Sequence, residues 1–167
     1  AQNLINGTTS FTLMAVPFFL LAGEVMNAGG LSKRIVKVAL ALVGHRKGGL
    51  GYVAIVASIL LASLSGSAVA DAAALATLLV PMMVASGHNQ GQSCGLVAAG
   101  GIIGPIIPPS IPFILFGVAG GVSISKLFLA GIVPGILMGM GLAFTWWFVS
   151  RRDTAQVHDK QSWADVM

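Results

Sequence analysis

Apolar runs of membrane-crossing length, separated by short polar turns, follow one another along most of this chain. The first run covers residues 8–28 and is interrupted only by Pro17 and Glu24. A helix of this length can cross a hydrocarbon core of roughly 30 Å. We therefore predict a spanning helix here, with Glu24 near its end as an interfacial anchor.

A pattern typical of an amphipathic helix follows Gly29 and Gly30. Ser32 is the predicted N-cap of this helix, which extends to Val43. Basic residues alternate with apolar ones, as in a helix that lies in the membrane interface rather than crossing it. These basic residues are Lys33, Arg34 and Lys37.

Two apolar limbs then flank a small polar cluster, residues 65–71. The limbs, residues 50–64 and 72–85, have about 15 residues each, or roughly 22 Å of helix. Because such helices fall short of a full crossing, we predict a re-entrant hairpin over residues 50–86. Irregular backbone at membrane depth is tolerated only beside protein or a water-filled cavity, so the hairpin tip should face a site.

A broken transmembrane helix is predicted over residues 94–122. Residues 94–107 have helical character, but several prolines cannot all lie in one continuous helix. These are Pro105, Pro108, Pro109 and Pro112. The helix must therefore break near residues 108–110. In the polar loop before it, His88 is expected to be solvated.

The last apolar run is a predicted transmembrane helix over residues 127–150. Glycines recur in it at four-residue spacing and form a close-packing face: Gly131, Gly135 and Gly139. Trp146 and Trp147, with Arg151 just beyond, mark a membrane interface. Residues 151–167 are a predicted cytoplasmic tail or linker.

Composition assigns these elements to a lipid bilayer. Of the 167 residues 56% are hydrophobic and 8% are charged, and the mean hydropathy is +0.90. Soluble domains carry about 25% charged residues, and disordered chains are poor in apolar residues, so both classes are excluded. Between Gly48 and Ser125, Asp71 is the only formally charged side chain. The predicted fold class is therefore an all-α polytopic membrane protein.

The net charge of +4 comes from basic residues that are spread along the chain, so no nucleic-acid partner is predicted. These residues indicate topology instead. With residues 33–47 in the cytoplasm, the basic residues near membrane ends lie inside and only Lys126 lies outside, in agreement with the positive-inside rule. A re-entrant hairpin and two full spans satisfy this count equally.

The hairpin tip is the main candidate for a binding site. The second limb begins near Ser67 and Ala68, so its N–H groups point at the tip, and the carbonyls of residues 63–65 face the same place. Such a tip can bind a cation and an anionic solute together. Asp71 is either an ion ligand or a residue of the first helical turn stabilised by the dipole. The tip could also be only a cap and turn, and residues 108–110 only a packing kink.

Three motifs resemble the large membrane subunit of tripartite ATP-independent periplasmic (TRAP) transporters. They are residues 17–24 (PFFLLAGE) with Met26 and Asn27, residues 65–71 (SGSAVAD) and residues 100–110 (GGIIGPIIPPS). The resemblance implies Na⁺-driven uptake of an organic acid across a bacterial inner membrane. In such a system a periplasmic binding protein delivers the acid to a large and a small membrane subunit. The expected activity is transport, not enzymatic chemistry.

The resemblance also implies an elevator mechanism, in which hairpins and broken helices move against a scaffold that includes residues 1–49. Predicted substrate-binding residues are Ser67, Ala68, Asp71, Pro109 and Ser110. Predicted Na⁺ ligands, largely through backbone carbonyls, are Ser65, Gly66, Ser67, Gly101, Pro105 and Pro108. Family members have two inverted repeats, whereas this chain has one hairpin and one broken helix. We therefore expect a fragment that lacks the true N-terminus and holds half of the transporter.

Two other function classes fit the same elements. Kinked glycine-rich helices could line a channel, which would conduct without Na⁺ or a binding protein. A structural membrane subunit is the other alternative. The solute is left open among C4-dicarboxylates, sialic acid and sugar acids.

Overall fold

The computed structural model describes residues 11–46, 48–65 and 67–151, and within these segments all regular structure is helical. A 3-10 turn, Phe11–Met14, is followed by α1 (Ala15–Ala28), α2 (Leu31–Val43), α3 (Gly49–Ser65), α4 (Ala68–Ala85), α5 (Gln90–Gly101), α6 (Ile111–Gly120) and α7 (Ile124–Ser150). The all-α class is confirmed for these residues. The predictions for Gly66 and for the tail beyond residue 151 lie outside them.

Helix α3 lies at the centre of the fold and packs against α2, α4, α5 and α7. Its residues Val53 and Ala57 have no solvent exposure. In α4 the fully buried residues Leu75, Leu79 and Met83 recur every fourth position, which places them on one face of the helix. This shared core holds α3 and α4 side by side and fixes the position of the tip between them.

Helix α2 has the predicted amphipathic pattern. Ile35, Val36 and Ala39 are buried, whereas the basic residues between and before them are exposed. The predicted N-cap is wrong. Gly30, with φ +79°, takes the N-cap position, and Ser32 lies buried within the helix, where its hydroxyl donates a hydrogen bond to Asn27 Oδ1.

The two limbs of the hairpin are longer than predicted. Helix α3 has 17 residues and α4 has 18, which correspond to roughly 26 and 27 Å. Residues 68–71, predicted as part of the polar tip, form the first turn of α4. Because α4 is long and apolar enough to cross a membrane, limb length does not support a re-entrant path, which stays a prediction.

Helix α5 begins and ends earlier than the predicted range of 94–107. Asn89 caps it, because its Oδ1 accepts hydrogen bonds from Gly91 N at 2.9 Å and Gln92 N at 3.3 Å. The predicted polar loop is therefore partly the first turn of the helix. At the other end, Gly101 is the last helical residue and the break extends over residues 102–110.

A buried aromatic cluster joins the ends of three segments. Trp146 is only 2% exposed, its Nε1 donates a hydrogen bond to Gly48 O at 2.8 Å, and its ring lies 5.3 Å from that of His88. His88 is buried, so the expectation of a solvated histidine is wrong, and Trp146 faces the protein interior. Trp147 is 39% exposed, with the Arg151 guanidinium 3.6 Å from its ring centroid, an arrangement suited to a membrane interface.

Helix α7 has one packed face of glycines and one exposed apolar face. Gly131 packs against Ile106, which lies before α6, and against Phe113, which lies within α6. Gly139 packs against Ile59 of α3. The predicted close-packing face is confirmed. Large exposed side chains cover the rest of the helix, among them Leu129, Val133, Leu137, Phe144 and Phe148. Such a surface requires lipid or further protein around it.

We expect Gly131→Ala to lower the thermal stability of the complete protein. A Cβ at this position would lie 2.5 Å from Phe113 Cε2 and would also meet the backbone carbonyl of Ile106, so the two segments must separate. Overpacking of this kind costs about 1–3 kcal/mol. The matched control is Gly141→Ala on the same helix, where a Cβ meets no atom within 4 Å. Equal melting temperatures for the two variants in detergent would contradict the prediction.

Candidate functional site

The tip lies between the end of α3 at Ser65 and the start of α4 at Ala68. Ser67 is the N-cap of α4, with extended backbone (φ −109°, ψ 104°), and its Oγ accepts a long hydrogen bond of 3.5 Å from Ala70 N. The first N–H groups of α4 and the last carbonyls of α3 therefore meet at the tip. A helix start attracts negative charge and a helix end attracts positive charge.

Asp71 lies in the first turn of α4 and is 3% exposed. Its backbone N–H donates a hydrogen bond to Ser67 O at 3.1 Å. The carboxylate is thus placed where the helix dipole stabilises negative charge. This position agrees with the first-turn interpretation and leaves its role as an ion ligand a prediction.

The break between α5 and α6 is held by local hydrogen bonds. Ile103 is fully buried, and its N–H donates to Gly100 O at 3.1 Å. Ser110 caps α6, because its Oγ accepts from Phe113 N at 3.4 Å and also donates to the Pro105 carbonyl. The Pro108–Pro109 peptide bond is cis. Because no helix is present over residues 102–110, the predicted interruption near residues 108–110 is confirmed.

The tip and the break are in direct contact. A Cβ placed on Gly101 would lie 3.0 Å from Ala68 O and 2.8 Å from Ala72 Cβ. A Cβ on Gly104 would lie 3.6 Å from Asp71 Oδ2 and 3.7 Å from Ala68 N. Only glycine permits this approach at Gly101, because real Cβ atoms do not come so close to a neighbour.

Three of the predicted site residues are therefore brought together by the structure: Ala68, Asp71 and Gly101. Ser67 adjoins them as the cap of α4. Pro105 and Ser110 contact each other within the break, and Ser110 is fully buried with its hydroxyl already hydrogen-bonded. The substrate and Na⁺ roles predicted for all of these residues stay predictions, and Gly66 lies outside the described residues.

The chemistry available at this contact is that of backbone groups and one carboxylate. In the described segments, no three His, Cys, Asp or Glu side chains lie close enough to hold a metal ion together. A cation bound here would be coordinated by carbonyl, hydroxyl and carboxylate oxygens, as in other sites built from interrupted membrane helices.

Sequence reasoning assigned no role to Asn27, although the residue was quoted in one of the three motifs. The structure places Asn27 and Ser32 beside a small cavity that Asp71 also lines. One signal was present in the sequence: Asn27 is an uncharged polar residue near the end of a strongly apolar run, two residues before the first glycine of a glycine pair.

A family model described as "Tripartite ATP-independent periplasmic transporter, DctM component" matches residues 1–167. The chain belongs to this family. The DctM resemblance seen in the three motifs is thereby confirmed, and the tip and break belong to a TRAP large permease.

Relatives of this chain are named for different substrates. The 2,3-diketo-L-gulonate TRAP transporter large permease protein of Escherichia coli is 63% identical over 152 residues, which are 91% of this chain and 36% of that protein. The sialic acid TRAP transporter large permease protein of Vibrio cholerae is 44% identical over 152 residues, 91% of this chain and 36% of that protein. The C4-dicarboxylate TRAP transporter large permease protein of Pseudomonas aeruginosa is 42% identical over 151 residues, which are 90% of this chain and 35% of that protein. The chain thus spans little more than a third of the length of these relatives.

Proposed function

We propose that this chain is part of the permease subunit of a Na⁺-coupled secondary transporter that takes up an organic acid across a bacterial inner membrane. The observation that carries the proposal is the contact of Gly101 with Ala68 and Ala72, which joins an interrupted helix to the tip of a helical hairpin. Family membership and the acids for which its relatives are named support the class of solute.

In this proposal the two partial charges at the tip have separate tasks. The N–H groups at the start of α4 attract the carboxylate of the solute, and the carbonyls at the end of α3 and in the break coordinate Na⁺. The positive charge of Na⁺ offsets the negative charge of one solute carboxylate when the two bind together. The occupied site then costs less free energy to move through the membrane than it would with the acid alone.

The mechanism we propose is an elevator movement. The hairpin, α3 and α4, would move together with α5, because buried residues of these three helices belong to one packed core, and α6 would follow α5 through the break. The segment containing α1 and α2 would belong to the scaffold, and the rest of the protein would supply the second half of the site. The partners are a small TRAP membrane subunit, a periplasmic binding protein and the lipid bilayer.

Reconstituted uptake tests this function. The full-length permease, with its small subunit, is placed in proteoliposomes with its binding protein and labelled 2,3-diketo-L-gulonate, sialic acid or a C4-dicarboxylate. We expect uptake of one acid to require both an inward Na⁺ gradient and the binding protein. Replacing Na⁺ by K⁺ should reduce the initial rate by about tenfold or more, since a coupled carrier has no driving force without its ion.

A channel would give a different result. Its flux would follow the solute gradient alone and would persist when Na⁺ or the binding protein is omitted. That outcome would overturn the proposed function.

A further inference from the structure

A small cavity lies where the end of α1, the start of α2 and the first turn of α4 meet. Its polar lining residues are Asn27, Ser32 and Asp71, one from each of these helices, and the rest of the lining is apolar or glycine. The cavity has a volume of about 10 Å³, which is room for one water-sized particle.

A larger cleft lies beside this cavity. The cleft has a volume of about 340 Å³ and shares Asn27 and Ser32 with the small cavity. Glu24, Lys33 and Thr77 also line it. Glu24 and Lys33 are exposed, so two charged side chains at the surface border the same cleft as the two polar residues next to Asp71.

The oxygens around the small cavity retain capacity for a cation. The Ser32 hydroxyl donates a hydrogen bond to Asn27 Oδ1. This bond occupies one lone pair of the amide oxygen and none of the serine oxygen. Asp71 adds a carboxylate that is 3% exposed. Carboxylate and amide oxygens are the ligands by which proteins commonly hold hard cations.

We propose that Asn27, Ser32 and Asp71 form a binding site for one monovalent cation, and that Glu24 and Lys33 set the electrostatic potential at its entrance. The identity of the cation as Na⁺ rests on the proposed function. This site shares Asp71 with the contact between tip and break, and it differs from that contact by the two side chains that come from α1 and α2.

The test uses the full-length permease with its small subunit. The half-saturating Na⁺ concentration is measured for reconstituted uptake and for thermal stabilisation in detergent, with choline chloride holding the ionic strength constant. Asn27→Ala and Ser32→Ala are expected to raise this concentration on the order of tenfold, since loss even of a group that only supports a metal ligand weakens binding by about 10- to 100-fold. Asn27→Asp, which keeps the oxygen and adds a charge, should lower it.

The entrance residues supply a second test that leaves the cavity intact. Glu24→Gln should raise the half-saturating Na⁺ concentration and Lys33→Gln should lower it, each by roughly twofold to fivefold, because the two charges act on the cation with opposite sign. Lys37→Gln is the matched control, since Lys37 is exposed on the same helix as Lys33 and is not a lining residue of the cleft. It should leave the value unchanged.

The outcomes separate this site from the proposed function. Shifts of the same sign for Asn27→Ala and Asn27→Asp would indicate packing damage alone and would overturn the site. Uptake that keeps the Na⁺ dependence of the wild type in every variant would also overturn it, while the proposed function would stand. Na⁺-independent uptake by the wild-type permease would refute the coupling itself, and Na⁺-dependent stabilisation that responds to these variants would still support the cavity as a cation site.

Discussion

Gly101→Ala is expected to reduce uptake by the full-length permease by roughly 5- to 150-fold. The added methyl group would lie 2.8 Å from Ala72 Cβ and 3.0 Å from the Ala68 carbonyl oxygen, so the break must move away from the tip. A displacement that costs about 1–3 kcal/mol corresponds to binding that is weaker by roughly 5- to 150-fold. The measurements are the initial uptake rate, which should fall, and the half-saturating Na⁺ concentration, which should rise.

Gly95→Ala is the matched control for this prediction. Gly95 lies on the same helix, and a Cβ there would meet no atom within 4 Å. Since alanine favours helix formation over glycine, this variant should fold and transport as the wild type does. If Gly101→Ala retained wild-type uptake and Na⁺ affinity, the contact between tip and break would have no part in the site.

The location of the tip and of the break could be predicted from the sequence. A Gly/Ser cluster at 65–67 is the only candidate turn inside a long apolar stretch, and closely spaced prolines at 105–109 exclude a continuous helix. The packed face of α7 could also be predicted, because glycines that recur every four residues lie on one side of a helix and permit close approach.

The contacts between elements could not be predicted in the same way. Ala68 and Gly101 are separated by 33 positions, and nothing in either motif specifies which backbone atoms approach. In α7 nearly every position is apolar, so no hydrophobic periodicity distinguishes Trp146, which is buried, from Trp147, which is partly exposed. Polar residues at the start of α5 resembled a loop because that turn is mostly exposed, and only the Asn89 cap identifies it as helix.

The resemblance to the TRAP family supplied candidate ligands without distances. It placed Asp71 and Gly101 in one site, which the structure brings together, but it gave no role to Asn27 or Ser32. Those two residues become informative only when the end of α1 is seen beside the tip. Side-chain oxygens from separate helices can define a cation site that no contiguous motif reveals.

Trp146→Ala is expected to be the most destabilising single substitution considered for this permease. The side chain is 2% exposed, packs beside His88 and donates a hydrogen bond of 2.8 Å to Gly48 O. Removing a buried tryptophan costs about 3–5 kcal/mol through lost contacts and the cavity that remains, and the Gly48 carbonyl would lose its donor. The measurement is thermal or denaturant unfolding of the full-length permease in detergent.

Trp147→Ala is the control that separates burial from position. This neighbouring tryptophan is 39% exposed and stacks under Arg151, so its removal should cost about 1 kcal/mol or less. Trp146→Phe keeps one aromatic ring but removes the N–H donor and part of the ring volume, which together should cost about 1–3 kcal/mol. The three variants should therefore rank Trp146→Ala, Trp146→Phe and Trp147→Ala in decreasing order of destabilisation. If Trp147→Ala were as harmful as Trp146→Ala, the buried cluster would not be what joins the end of α7 to the turn before α3.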